Sequence, residues 1–511
     1  MHLTHGLTRA ALQRPDALAL ICEDRRRTYR QFADRVARLA GAFRGFGLKP
    51  GDRVSILALN SDRYVEYYFA TIWAGGIIAP INTRWSTPEM VECVEDCTPA
   101  ILLADSDHAE QARALARQCD CIHHLIHADE GTADGFADYE TLIAETEPVE
   151  DARRSDDDIA CLFYTGGTTG RSKGVILTHA NLAINALHTI PGYGYDETTV
   201  ALHAGPLFHL AAGSRIFTNT IAMGCHVVMC RFSGANMLSL IETEKITSVV
   251  LVPTMIAMLL EMPEFKEHDL SSLSHLSYGA APMPEALLAR LMRALPHTKF
   301  AHSYGMTETS PLVSTLPHSV DDLDGPLAAK LRTAGRAVFD VDIRIADDDG
   351  RNVATGEVGE ILLRGPTITP GYWQRPDLTA EALRDGWLHT GDLGYLDEDQ
   401  YLTVVDRKKD MIISGGENIY SAEVENALHL HPAIAECAVI GLPDERWGER
   451  VHAVVRLENG TAIAAEDLIE HCRGLIAHYK CPREIEFSTE PLPKSGPGKI
   501  LKSALREWQR T

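Results

Sequence analysis

The sequence predicts an α/β protein. A large N-terminal unit of parallel-sheet subdomains also carries a small antiparallel β unit, and a small α+β unit follows residue 406. Three observations carry this reading. Apolar strand-like runs alternate with helix-like segments, the rhythm of parallel strands joined by crossover helices. Around 338–365 the texture turns to short alternating runs, as antiparallel strands require. A charge run, Asp406-Arg407-Lys408-Lys409-Asp410, then precedes a C-terminal stretch with a pattern of its own.

In chain order, Thr28-Tyr29-Arg30-Gln31 has the form of a capping box, and Phe32, Val36, Leu39 and Phe43 follow at helical spacing. Gly45 and Gly47 mark the helix stop. Val54–Leu59 reads as a buried strand, Ser61–Ala74 as a helix and Ile77–Pro80 as the next strand. Ile159–Phe163 is a strand, as is Ser248–Val252, with a helix over Pro253–Met262. Val341–Ile345 and Glu360–Arg364 are the alternating runs. Beyond 406 the pattern gives a helix over 421–430, strands over 436–441 and 451–457, and a helix over 464–477. The domains expected are therefore 1–406 and 407–511.

At 511 residues more than one domain is expected. Hydrophobic content of 45% and charged content of 23% suit a globular enzyme rather than a disordered chain. The net charge of −23 argues against nucleic acid or an anionic membrane surface as partner. No apolar run reaches the length of a membrane span, and the N-terminus lacks a signal-peptide pattern. Eleven scattered cysteines show no zinc-site spacing, and Cys93/Cys97 and Cys119/Cys121 read as thiols of a reducing, cytoplasmic setting. The oligomeric state is open, a homodimer included.

The densest chemical signal is Tyr164-Thr165-Gly166-Gly167-Thr168-Thr169-Gly170-Arg171-Ser172-Lys173-Gly174, placed straight after the first apolar strand of its region. Glycines let a backbone approach a ligand, while hydroxyls, N–H groups and Lys173 donate to phosphate oxygens. The order differs from a Walker A loop, which needs Gly-Lys-Ser/Thr in succession. Further motifs share the chain. Tyr304-Gly305-Met306-Thr307-Glu308 offers an aromatic face, a hydroxyl and a carboxylate at a strand end, where open α/β sheets bind ligands. Tyr278-Gly279-Ala280-Ala281-Pro282 is a small-residue turn fit for a flat ring. Trp387-Leu388-His389-Thr390-Gly391-Asp392 supplies a carboxylate able to accept from two ribose hydroxyls. Lys494-Ser495-Gly496-Pro497-Gly498-Lys499 sets a lysine on a flexible loop. Singly, each also reads as a surface turn or a solvated charge; the order in which they occur together is what singles them out.

On these motifs the chain resembles the adenylate-forming superfamily of acyl-CoA synthetases, peptide-synthetase adenylation domains and beetle luciferases. The resemblance covers essentially the whole length. It implies that Thr165, Gly166, Gly167, Thr168, Thr169, Gly170 and Lys173 hold ATP phosphates, and that Gly279, Ala280 and Ala281 line the adenine and acyl pockets. Tyr304 would stack near adenine, Thr307 contact phosphate, and Glu308 help hold Mg²⁺. Asp392 and Arg407 would bind ribose. Lys499 would bridge the acid and the α-phosphate from a mobile C-terminal domain. The family more often has serine at the position of Gly166, a loss that backbone N–H groups can cover.

Acid activation fits these groups independently. Attack of a carboxylate on the α-phosphate gathers negative charge, which a cation and a lysine must meet. An acid ionised at neutral pH needs no general base. For the second step, Ser414–Tyr420, with Gly415 and Gly416, resembles the loop of the pantetheine tunnel. Glu445-Arg446-Trp447-Gly448-Glu449 resembles a segment whose tryptophan stacks on the adenine of coenzyme A. Both favour coenzyme A over a carrier protein or a luciferase reaction; a carrier-loading enzyme and a non-catalytic nucleotide or acyl sensor are the alternatives. Pro206–Gly213 matches the family's gate, placing His209 beside the carboxylate. The expected lining, Leu210, Ala211, Tyr278, Ala280, Met283, Met306 and Ser310, holds no arginine for a second carboxylate. An apolar aromatic or medium-chain acid is therefore expected over malonate, in fatty-acid or aromatic-acid metabolism.

Overall fold

A computed structural model of the chain describes residues 1–165, 172–281, 283–415, 417–444, 446–458, 460–494 and 500–508. Two large sheets form the N-terminal part. In the first, Val200–His203, Cys225–Val228, Ser248–Leu251, His275–Gly279 and Lys299–Tyr304 run parallel. Leu18–Cys22 continues one edge and Ser314–His318 adds antiparallel at the other. The second sheet is parallel from His124–His127 through Pro99–Ala104, Arg53–Leu57 and Ile77–Ile78 to Ile159–Thr165. A five-stranded antiparallel sheet follows, including Asp342–Ala346, Gly359–Arg364, Trp387–Leu396 and Leu402–Arg407. The C-terminal part builds its own five-stranded sheet and its own core around Ile412, Val424, Val439 and Val455.

Local chemistry explains the element ends. Thr28 and Gln31 form the expected capping box of the helix Tyr29–Gly45. Ser61 accepts from Tyr64 N at the start of Asp62–Ala74, and Gly75 closes it at φ +94°. The strand expected over Ile77–Pro80 is regular only over Ile77–Ile78; Ala79 N and Ile81 N still donate to Val54 O and Ile56 O, while Pro80 has no N–H to offer. Three expected elements differ in extent in the C-terminal part. The two strands are longer, Ile434–Asp444 and Gly448–Leu457, and form one hairpin whose polar end hides the alternation. The last long helix stops at Arg473 rather than running to 477, because Gly474 closes it and Ala477 turns into the short helix His478–Lys480.

The glycine-rich segment lies between two antiparallel partners. Ile159–Thr165 pairs with Lys173–Thr178, and Thr165 stands opposite Lys173. The segment therefore connects a hairpin, and the helix His179–Tyr193 begins only after the return strand.

Candidate active site

The C-terminal end of the strand Lys299–Tyr304 organises the site. Gly305 follows it at φ +155°, where a Cβ would sit 1.7 Å from Pro311 O. Only glycine fits this turn, which delivers the one-turn helix Thr307–Thr309. Glu308 on that turn is 4% exposed. Its Oε1 accepts a hydrogen bond from Tyr372 Oη at 2.8 Å. Tyr372 Oη accepts from Lys173 Nζ at 2.6 Å, and Nζ lies 3.4 Å from Glu308 Oε1. Burial, reinforced by the Glu308 charge, holds the Tyr372 phenol well above its usual range, so it stays a donor. Tyr372 was not among the expected site residues. It lies 199 positions from Lys173, and only the fold brings them together.

A second cluster adjoins through Tyr304. Its Oη donates to Asp392 Oδ2 at 2.9 Å. Arg407 stands opposite Asp392 across the strand pair, with Nε 3.0 Å from Oδ1. The Asp392 N–H donates to Thr390 Oγ1 at 3.0 Å, which fixes the backbone beneath the carboxylate. Asp392 is buried and Arg407 open, so the pair presents one edge to solvent.

The strand His275–Gly279 lies beside Lys299–Tyr304, with Gly279 opposite Ser303. A Cβ on Gly279 would lie 2.4 Å from Ser303 O. Ala280 adopts φ +64° and is exposed, and Ala281 is half-buried. Among the expected acid-pocket residues, Leu210 and Tyr278 are buried, Ala211 is open, and Met283 and Met306 are half-buried. Tyr278 is not free to line a cavity: its ring stacks on His302 at 5.0 Å and its hydroxyl meets His318 at 3.3 Å. Ser310 is likewise enclosed and donates to Thr367 O.

His209 precedes the helix Leu210–Ala222, with its ring 4.6 Å from Phe208. Enclosure lowers its pKa to about 4, with Arg84 adding to the effect, so the ring is neutral near pH 7. Its Nε2 is out of solvent and has no hydrogen-bond partner among the described residues; Thr165 Oγ1 is in the same condition. A buried polar atom without a partner in the chain calls for one from outside it, a water or a ligand.

Gly415 and Trp447 belong to the C-terminal part. Gly415 N donates to Trp447 O at 2.8 Å, and a Cβ on Gly415 would meet the indole at 2.9 Å. The Arg446 and Arg483 guanidiniums lie 4.8 and 4.9 Å from the indole ring centre. Gly166, Gly167, Thr168, Thr169, Gly170, Gly416 and Lys499 lie outside the described residues.

Known proteins match this chain along its length. The AMP-binding enzyme family model matches residues 7–373, and the AMP-binding enzyme C-terminal domain model matches 423–499. Feruloyl-CoA synthase of Amycolatopsis sp is 41% identical over 500 residues, covering 98% of this chain and 97% of that protein. Indoleacetate–CoA ligase of Aromatoleum aromaticum is 35% identical over 515 residues, covering 99% and 98%. The anthranilate CoA ligase AuaEII, solved in complex with anthranoyl-AMP, superposes with a TM-score of 0.91 at 28% identity, covering 99% and 97%. The chain belongs to the AMP-binding enzyme family and is an adenylate-forming, acid–thiol ligase of the acyl-CoA synthetase kind.

Proposed function

We propose that the protein joins an aromatic acid to coenzyme A at the expense of ATP, releasing AMP and pyrophosphate. The observation that carries this reading is the meeting of two clusters, Lys173–Tyr372–Glu308 and Tyr304–Asp392–Arg407, at one strand end. The first suits phosphates and the second a ribose. Aromatic acids are favoured because two of the relatives that match end to end are named for them.

In the first step an acid oxygen attacks the α-phosphorus, forming the acyl–phosphate bond while the bond to the pyrophosphate oxygen breaks. Lys173 and Thr165 hold phosphate oxygens, with the backbone of Gly166, Gly167 and Gly170 and the hydroxyls of Thr168 and Thr169. Thr307 adds a hydroxyl. Tyr304 and the Gly279–Ala281 turn flank the adenine, while Asp392 accepts from ribose hydroxyls and Arg407 fixes Asp392. Neutral His209 borders the acid, and its unpartnered Nε2 meets a carboxylate oxygen if that nitrogen bears the proton. Lys499 neutralises charge at the α-phosphate.

Glu308 is the residue that would hold Mg²⁺. Among the described residues no group of three or more ligating side chains forms. The buried Glu308 carboxylate, beside the phosphate-holding Lys173, is the hard oxygen donor such an ion takes one or two of, the rest of its shell being phosphate and water; when bound it would neutralise phosphate charge.

In the second step the thiol of coenzyme A attacks the carbonyl, the thioester bond forms and AMP leaves. Gly415 and Gly416 line the thiol's route, and Trp447 stacks on the coenzyme's adenine with Arg446 and Arg483 near its phosphates. The boundary at 406/407 separates the domains, and the smaller one turns between the two steps. Chromatography of the nucleotide products tests the reading: AMP in step with thioester supports it, and ADP as the stoichiometric product overturns it.

A further inference from the structure

Arg215, on the helix Leu210–Ala222, is 5% exposed. Its Nη1 donates to Thr189 Oγ1 at 2.9 Å and its Nη2 to Tyr193 Oη at 3.4 Å. Its guanidinium carbon lies 4.7 Å from the Tyr193 ring centre. Its Nε has no partner among the described residues, and neither has the neighbouring Ser214 Oγ, also buried. Arg63, buried as deeply, is treated differently by the fold: its Nε lies 3.0 Å from Glu140 and its Nη2 2.8 Å from Glu130. Arg215 has only hydroxyls and a ring. A guanidinium out of water with unused donors and no anion is under-compensated.

Its position explains what could compensate it. His209 stands just before the helix, and Ala211 on the first turn is open to solvent. Residue 215 is four positions on from 211, one turn further along the same face. From the other side, Tyr193 Oη hydrogen-bonds Ser303 Oγ. Ser303 stands opposite Gly279 and directly precedes Tyr304. Arg215 thus lies behind both walls assigned to the acid pocket, the His209 helix and the Gly279 strand end. Among the described residues two hydroxyls and one ring meet it, and no carboxylate does.

We propose that Arg215 is the specificity residue at the closed end of the acid pocket, donating to an oxygen substituent carried by an aryl acid at the end remote from its reacting carboxylate. This rests on the function proposed above. The shared chemistry is a hydrogen-bond-accepting oxygen, whether of a ring hydroxyl or methoxyl or of a second carboxylate. A site with a buried donor rejects the analogue that leaves that donor unpaired far more strongly than an apolar pocket rejects a missing methylene.

The test measures pyrophosphate release by the full chain with ATP, Mg²⁺ and coenzyme A. The acids are cinnamic acids with hydrogen, methyl, hydroxyl, methoxyl or carboxylate at the para position. In the wild type, the best oxygen-bearing acid should exceed its methyl analogue at least about 10-fold in kcat/KM. The hydroxyl, methoxyl and carboxylate arms tell which oxygen is preferred. Arg215→Met should bring that ratio to about one or reverse it, mainly through KM. Equal use of the methyl and oxygen-bearing acids by the wild type overturns the inference. So does an unchanged ratio in a variant whose melting temperature matches the wild type. If Arg215→Met does not fold, the wild-type ratio alone decides. Absence of pyrophosphate release with every acid would instead count against the proposed function, and against this inference with it.

Discussion

Lys173 Nζ lies 3.9 Å from the centre of the Tyr372 ring while donating to the hydroxyl of that same ring at 2.6 Å. The tyrosine therefore holds the lysine by its π-face and its oxygen together, and passes the hydrogen bond on to Glu308. Tyr372→Phe keeps the ring and removes the relay. The Glu308 carboxylate then loses its neutral donor in a buried place, at about 1–3 kcal/mol. Adenylation should fall roughly 10- to 100-fold, read as pyrophosphate exchange, with the melting temperature within a few degrees of wild type. An unchanged exchange rate would show that the relay does not position Lys173 and Glu308 for the reaction.

Lys499→Ala should cut adenylation by about 10²–10³-fold, the usual effect of removing a donor aimed at developing charge. Thioester formation from supplied acyl-adenylate should survive largely intact. The flanks of its loop are anchored: Lys494 bridges to Ile500 through the backbone, and Lys494 Nζ lies 2.7 Å from Glu436. The substitution should therefore leave the fold alone. Equal loss in both half-reactions would contradict a role confined to the first.

Lys409→Pro tests the proposed turning of the smaller domain. Proline fixes φ near −65° and removes an N–H, so a pivot placed there could no longer change its torsions. Lys409 follows the strand Leu402–Arg407 by two residues. Acyl-adenylate should still form, and most thioester formation should be lost. Single-turnover assays of each half-reaction decide: if both rates survive, or both fall together in a folded protein, Lys409 is not the pivot.

Acid should weaken the fold between pH 6.5 and 4. Burial lowers His179, His203 and His302 to about 4. In the unfolded chain each takes up a proton near its ordinary value of about 6.5. Within that window the unfolded state binds more protons, so stability falls as pH falls; above 6.5 the contribution is complete. Each histidine accounts for up to roughly 3 kcal/mol. Melting temperatures at pH 7.5 and 4.5 should differ by many degrees, and a flat profile would refute the assignment.

Much of the architecture was legible because local chemistry decides it. The Thr28–Gln31 box, the Ser61 cap and the alternation of apolar runs each act within a few residues. The site was legible where one segment carries several groups, as in Tyr304 to Glu308. Tyr372 escaped notice because Gly371-Tyr372-Trp373 looks like an ordinary loop until the Lys173–Thr178 strand is laid beside it. Arg215 escaped for the opposite reason. Set among Ile216, Phe217 and small residues, it reads as one polar residue on a helix, and nothing in the sequence says that no carboxylate will meet it. The return strand after the glycine-rich segment was also hidden, since Lys173–Thr178 pairs with the strand before it only once the chain has doubled back.

Asp406 accepts hydrogen bonds from the N–H and the hydroxyl of Ser421, at 2.5 and 2.6 Å. One partner ends the antiparallel sheet before Lys409, and the other opens the first helix after it. A rotation at Lys409 that separates them gives up two charge-assisted bonds, on the order of 1.5–3 kcal/mol each before water replaces them. If Lys409 is the pivot proposed above, the pair acts as a latch on the arrangement described, and its strength weighs on how rarely the free enzyme visits another one. Loosening it raises that minority population, so traffic between the two halves of the reaction can be tuned at a place that touches neither substrate.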